Sequence, residues 1–530
     1  MTDRGLTTTP DGRILTADGF PLVENREVPA IRLAGDRIRV LYEPSAFYAD
    51  LKSRILKARQ RVYLSTLYIG HQEADLVATL EQALAATPQL EVRILFDGLR
   101  GTRAWRTGQS PADLFVPLLQ RYPDRLRVAL YHTPNLHGAG KRYFPERYNE
   151  VVGLMHIKAY VFDNDIVLSG ANLSRDYFTN RQDRYVAFED APQLAMYYSQ
   201  LADEIAAFSY GVRPIDRTRS VARAPGVASR GIPQPVVMSA RPEDVDTDGA
   251  AQFRLVMMDD FPDPVTRPRE FRVRAGDAMQ RWLRTWADGN HRHRQSMATA
   301  MFTPADPTLD TLLVPTIQMH QLNVDQDRRY FHRLLGHLDR YAVHHPATTV
   351  RFTSAYFNFA PSIQSLILRS HAHFDMTIAA PEANGFFNAR GISRYVPTAY
   401  SSFEHEFYNR AQRALRNHPS EKRPPITLRE YARDGWTFHG KGLWVYFRGE
   451  PTPALSVLGS SNYGYRSLTR DFEAQAMLYT RNERLRTNLH REIADMARYT
   501  NPVTDATFGH PARRVPRWVR MIKPLIRGFF

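Results

Sequence analysis

Residues 156–163 read HIKAYVFD, and residues 439–446 read HGKGLWVY. In each stretch a His is followed two positions later by a Lys, giving His156 with Lys158 and His439 with Lys441. Asn172 then closes SGAN and Asn462 closes GSSN, and eleven residues after each Asn stands a carboxylate, Asp183 in one case and Glu473 in the other. A single His-x-Lys pair carries little weight in a chain of 530 residues. Two pairs, each trailed by the same turn and an acid at the same offset, mark an internal duplication.

The spacing has a chemical reading. Alternate side chains of an extended strand share a face, so an imidazole and an ammonium two residues apart converge on one anion. The Asn of the following turn supplies an amide donor to that anion. The later carboxylate takes a ring N–H and fixes the imidazole tautomer. Two His, two Lys and two Asn suit a bound phosphate, and none of them requires a metal; no cofactor is implied. Asp163 lies at an odd offset, on the other face, and Tyr446 stands at its place in the second copy. It is therefore expected to be structural.

The repeat extends beyond the cassettes. RVYLSTLYIG (61–70) and VRFTSAYFNF (350–359) both read as buried strands, and EVRILFDG (91–98) is answered by FDMTIAAP (374–381). Thr66 and Ser354, His156 and His439, and Asp183 and Glu473 stand 288, 283 and 290 residues apart. Strands alternate with helical periodicity in ADLVATLEQALAA, SIQSLILRSH, PQLAMYYSQLADEIAAF and NERLRTNLHREIADMARY. The expected class is α/β, two layered halves of one topology. The expected boundaries are an N-terminal extension (1–38), a first half (39–212), a Pro/Arg-rich linker or insertion (213–270), a second half (271–512) and a basic-aromatic C-terminal segment (513–530).

A formal charge of +15 and a pI near 9.8 favour an anionic partner: nucleic acid, acidic headgroups or a phosphorylated small molecule. The absence of cysteine excludes disulfides, thiolate metal sites and Cys nucleophiles. No apolar run is long enough to span a membrane, and MTDRGLTTTPDGR has neither the apolar core of a secretory signal nor the Arg-rich, acid-poor character of a mitochondrial transit peptide.

The cassette with its GSxN-like turn resembles the phospholipase D superfamily. GANLSRDYFTNRQDRY, WTFHGKGLWVY and GSSNYGYRSLTRDFEAQ, with YHTP (131–134), RYNE (147–150) and DGLRGTR (97–103), are similar to the eukaryotic-type phosphatidylglycerophosphate synthases, which are CDP-diacylglycerol–glycerol-3-phosphate 3-phosphatidyltransferases. The resemblance covers roughly 40–210 and 310–525. It implies two phospholipase D-like α/β/α halves with one active site at their interface. Its partners would be CDP-diacylglycerol, glycerol 3-phosphate and an anionic membrane surface, with no nucleic acid. Its place would be peripheral on the mitochondrial inner membrane.

By the same resemblance His156 is the nucleophile, forming a phosphohistidine, and His439 the general acid/base. The reverse assignment stays open. Lys158, Lys441, Asn172 and Asn462 hold the phosphate oxygens, while Asp183 and Glu473 each orient the His of the opposite half. Arg100 and Arg103, in a loop after a strand, are either ligands for a substrate phosphate or a solvated basic loop. Tyr68 and Tyr356 occupy equivalent repeat positions and read as core. RRVPRWVRMIKPLIRGFF (513–530) and GFFNARGISRYVP (385–397) mix cations with bulky apolar residues, as interfacial segments do, or else dock on the protein itself. A phospholipase D-like phosphodiesterase or nuclease, and a phosphatidylserine synthase-like transferase, are the alternatives.

Overall fold

The computed structural model describes residues 6–9, 12–24, 27–105, 108–138, 141, 149–215, 252–258, 260–287, 308–387, 389, 394–417, 423–510, 513–516, 518–519 and 521. The first sheet runs in space Phe253–Met257, Tyr210–Pro214, Leu126–Tyr131, Glu91–Asp97, Arg61–Ser65, Ala159–Phe162, Asp165–Ser169, Tyr185–Phe188, Ile38–Leu41. The second runs Thr500–Pro502, Thr427–Tyr431, His373–Ala379, Thr349–Ser354, Gly442–Tyr446, Leu455–Gly459, Glu473–Thr480, Thr311–Met319, Val324–Asp325. Each sheet has three parallel strands joined to an antiparallel run at the cassette strand. Eight strands of the α/β fold, Tyr210–Pro214 through Ile38–Leu41 in the first sheet and Thr500–Pro502 through Thr311–Met319 in the second, correspond in order, and of the strands in these two rows only the edge strands Phe253–Met257 and Val324–Asp325 lack a counterpart.

Helices cover the sheets because their apolar residues recur at helical spacing. Ala74–Ala86 buries Leu76, Leu80, Ala83 and Leu84 on the outer face of the first sheet. Glu483–Ala497 buries Leu485, Leu489, Ile493 and Met496 in the core between the halves, and Asn482 caps it by accepting from Leu485 N–H. A buried leucine contributes about 1.5–3 kcal/mol, so the central core, shared by both sheets, binds the halves to each other.

The boundaries differ from those expected. Residues 1–38 do not stand apart: Ile31–Leu33 pairs antiparallel with Thr311–Leu313, and Phe20, Leu22 and Val23 pack in the core of the second half. Of the expected linker, residues 216–251 lie outside the described residues, but Phe253–Met257 forms the edge strand of the first sheet on Tyr210–Pro214. A boundary at 271 would also cut the helix Pro268–Ala287, which packs Trp282 at a tilt against Tyr197 of the first half (ring centroids 4.9 Å). The same helix packs Gly276 so tightly on the Leu322 carbonyl that a Cβ would lie 2.9 Å from it. It joins the halves rather than beginning one of them.

Candidate active site

Backbone pairing between the halves builds the site. Met155 bridges Phe472, His156 N–H donates to the Phe472 carbonyl (2.8 Å), and Phe472 N–H donates to Leu154 (2.8 Å). That register sets His156 beside Glu473, with Nδ1 2.8 Å from Oε2. Arg181–Gln182 likewise pairs in parallel with Thr437–Phe438, and His439 N–H donates to the Gln182 carbonyl (2.7 Å). His439 Nδ1 thereby lies 2.6 Å from Asp183 Oδ2. Each imidazole takes its carboxylate from the opposite half. The cassettes themselves sit in extended chain just ahead of the strands Ala159–Phe162 and Gly442–Tyr446, not inside them.

With Nδ1 turned to a carboxylate, Nε2 keeps its lone pair. Burial, reinforced by Lys158 beside His156 and by Lys441 beside His439, holds both imidazoles well below the usual histidine range. They are therefore neutral near pH 7, as a nucleophile or a base must be. Burial pushes Glu473 up to about 7 and Asp183 up to about 6, against the pull of the lysines. Lys441 is brought down to about 8 by burial, opposed by Asp183. Each ammonium donates to the carbonyl of its own His (Lys158 Nζ to His156 O and Lys441 Nζ to His439 O, both 2.7 Å). The carbonyl oxygens of Asn172 and Asn462 are buried and, among the described residues, without a partner; they are acceptors that a ligand hydroxyl would satisfy.

The two imidazoles are not equivalent. Tyr177 Oη lies 3.2 Å from His439 Nε2 and accepts from Asn172 Nδ2 (3.2 Å). At the matching position of the second half stands Ser467, which accepts from Asn462 N–H instead. Among the described residues none hydrogen-bonds His156 Nε2. Asp163 is structural: at φ +52° it caps a turn, accepting from the backbone N–H of Arg59, Gln60 and Arg61 at 2.8–2.9 Å.

Both imidazoles and both Asn open on one cavity of about 770 Å³. Arg100 and Arg103 also line it. Arg100 lies in a single helical turn, Gly98–Gly101, rather than a loop, because Asp97 accepts from its N–H (3.0 Å). Both guanidinium groups are engaged by Glu150, Arg100 at 3.0 Å, so the pair presents about one net positive charge to the cavity. Tyr68 and Tyr356 are not core but half-buried on the cavity wall, Tyr68 under the Arg100 guanidinium at 4.4 Å. Sequence reasoning also missed Tyr177, Arg181 and Arg466 on the same wall. The signal was available, since they stand five, nine and four residues after the cassette Asn of their halves.

Phe386, Tyr395 and Trp518 complete the lining; Phe386, Phe387 and Trp518 are exposed. Arg513 is committed to Glu430 through two contacts of 2.5 Å, so it is not among the cations open to a lipid. Residues 388 and 390–393 of the first interfacial candidate, and 517, 520 and 522–530 of the C-terminal one, lie outside the described residues. No helix among the described residues is long and apolar enough to cross a membrane.

Residues 51–206 match the family model described as cardiolipin synthase, PLD-like domain. Across 95% of its length the chain is 36% identical to the mitochondrial CDP-diacylglycerol–glycerol-3-phosphate 3-phosphatidyltransferase of Gallus gallus, of which it covers 85%. It is 32% identical over 98% of its length to the enzyme of that name from Saccharomyces cerevisiae, covering 92% of it. Among solved structures, phosphatidylserine synthase of Haemophilus influenzae superposes with a TM-score of 0.63 at 16% identity, over 95% of this chain and 98% of that one; the fold is shared.

Proposed function

The chain belongs to the CDP-diacylglycerol–glycerol-3-phosphate 3-phosphatidyltransferase family, and from that premise we propose that it moves the phosphatidyl group in two displacements through a phosphohistidine on His156. It is a phosphatidyltransferase, acting on CDP-diacylglycerol and glycerol 3-phosphate to give phosphatidylglycerophosphate and CMP. In the first step His156 Nε2 bonds to the phosphorus next to the lipid and the P–O bond to CMP breaks. In the second, His439 Nε2 takes the proton of the glycerol hydroxyl, that oxygen bonds to phosphorus, and the N–P bond breaks.

The observation that carries this reading is the pair of buried, neutral imidazoles, each held at Nδ1 by the other half's carboxylate and facing one cavity. The asymmetry supports the order of roles: among the described residues none occupies His156 Nε2, while His439 Nε2 already shares a hydroxyl with Tyr177. Lys158, Lys441, Asn172 and Asn462 stabilise the negative charge that develops on the phosphate oxygens. Glu473 and Asp183 fix the tautomers. Arg100 and Arg103 meet the nucleotide phosphate of the donor. Exposed Phe386 and Trp518 at the cavity, with exposed Phe387 next to Phe386 in the chain, favour contact with the lipid surface that holds the donor. Animal relatives carry "mitochondrial" in their names, and a peripheral position on the inner membrane fits that address.

The test presents CDP-diacylglycerol in phosphatidylglycerol vesicles. Phosphatidylglycerophosphate and CMP are expected only when glycerol 3-phosphate is added, with the protein sedimenting with the vesicles. Phosphatidic acid as the main product, or nicked DNA with no lipid product, would overturn the transferase reading. Protein left in the supernatant would overturn the membrane one.

Burial lowers the pKa of both lysines, so both contribute to an alkaline limit; the limb set by Lys441, whose ammonium is charged below about 8 and neutral above, is a fall in kcat/KM for the donor as pH rises through that value. Lys441→Arg, which stays charged, is expected to work more slowly but to lose this alkaline limb. A limb unmoved in the variant assigns it to another group.

A further inference from the structure

The pseudo-symmetry of the halves breaks at one ion pair. Four and nine residues after the cassette Asn, the first half has Asp176 and Arg181, and the second has Arg466 and Asp471. The signs are exchanged, yet both pairs form: Arg181 to Asp176 at 3.2 Å, Arg466 to Asp471 at 3.1 and 3.2 Å. Both arginines line the cavity.

Their charges are not equally available. Asp471 is only 5% exposed, grips Arg466 with both oxygens and also accepts from Leu154 N–H (2.9 Å), so the Arg466 charge is neutralised inside the protein. Asp176 is 61% exposed and touches Arg181 through one contact, where water screens it. Arg181 itself is 14% exposed, with Nε donating to Thr437 Oγ1 (3.0 Å) and the guanidinium 4.7 Å from the Tyr177 ring centroid. A guanidinium held in the wall of a cavity, whose one charged partner among the described residues is a solvated acid, is an anion seat.

Its place selects the anion. The Tyr177 ring neighbours both groups, its centroid 4.7 Å from the Arg181 guanidinium and 5.0 Å from the His439 ring, with its hydroxyl on Nε2. An acceptor whose hydroxyl is deprotonated by His439 carries its phosphate three carbons away, roughly 5–6 Å by ordinary bond lengths. Arg100 and Arg103, on the wall of the same cavity, share Glu150, which leaves the two of them about one net positive charge.

We propose that Arg181 binds the phosphate monoester of the acceptor and so sets the preference for glycerol 3-phosphate over alcohols without a phosphate. The assignment rests on the transferase reading above. The other source of the same chemistry is the nucleotide phosphate of the donor, and steady-state constants separate the two. In the full chain, Arg181→Gln is expected to raise KM for glycerol 3-phosphate about 10- to 100-fold, the loss of a charge-assisted contact, and to move KM for CDP-diacylglycerol by less than threefold. Arg181→Lys is expected to lie between. A smaller folded fraction lowers the rate without moving either KM, so misfolding does not imitate the result. A rise in both constants alike would give Arg181 to the donor, and an unmoved KM for glycerol 3-phosphate would leave it structural; either overturns the assignment alone. Wild-type protein that forms no phosphatidylglycerophosphate overturns the assignment together with the reading beneath it.

Discussion

His156→Ala is expected to lower phosphatidylglycerophosphate formation by about 10⁴-fold or more, the scale seen when a nucleophile that works as a unit with its base is removed. The variant should also lose exchange of labelled CMP into CDP-diacylglycerol, because exchange requires the covalent intermediate to form and reverse. His439→Ala should fail to turn over for a different reason. CMP is a good leaving group and needs little acid assistance, whereas the acceptor hydroxyl needs a base, so this variant should accumulate a lipid adduct, recoverable by a denaturing quench at neutral pH, which spares the acid-labile N–P bond, followed by mass spectrometry. Adduct in His156→Ala and none in His439→Ala would exchange the two roles. Adduct in neither, with exchange absent from the wild type, would point to a single displacement. Burial of both imidazoles makes the expectation sharp, since solvent offers no substitute nucleophile of comparable position.

The second large effect is on stability. Arg184, 2% exposed, crosses from the first half to Glu492 of the second, with Nε and one terminal nitrogen each 2.9 Å from a carboxylate oxygen. It also donates to the Val457 carbonyl (2.7 Å) and Ser456 Oγ (2.9 Å), and it lies 3.8 Å over the Trp444 ring, whose Nε1 donates to the same carboxylate (3.0 Å). Arg184→Ala leaves the Glu492 charge buried and uncompensated, a cost of about 3–5 kcal/mol. A lower urea midpoint is the expected readout, with activity lost at temperatures the wild type survives. The double variant Arg184→Met/Glu492→Met should recover much of the loss, because it removes both charges and fills the space. A midpoint unchanged in Arg184→Ala would mean that the pair contributes nothing to the union of the halves.

Much of this was legible in the chain. The cassettes, their equal offsets to Asp183 and Glu473, and the near-constant separation of the repeats required two like halves, and the sheets repeat each other accordingly. Asp163 could be set aside because Tyr446 replaces it; the strand-parity argument did not hold, since neither the His–Lys pair nor Asp163 lies within the strand Ala159–Phe162. What escaped was non-local. Ile31–Leu33 joins a sheet whose partner strand begins 280 residues later, and nothing in three residues announces that register. Phe253–Met257 was hidden by the Pro- and Arg-rich composition before it. Tyr68 and Tyr356 read as core because an aromatic at a strand end has the same local pattern whether it packs inward or borders a cavity. Arg181 and Arg466 drop out when the repeats are compared for identity, since their meaning lies in an exchange of sign.

The crossed carboxylates also give the chain a built-in order of assembly. His156 is synthesised more than three hundred residues before Glu473, the group that holds its ring, while His439 follows Asp183. A growing chain that has finished only its first half displays the reactive imidazole with no partner and no opposing wall. On the roles proposed above, a chain that stops short of residue 473 is expected to be inactive, and a change at either carboxylate is expected to act through the histidine of the opposite half.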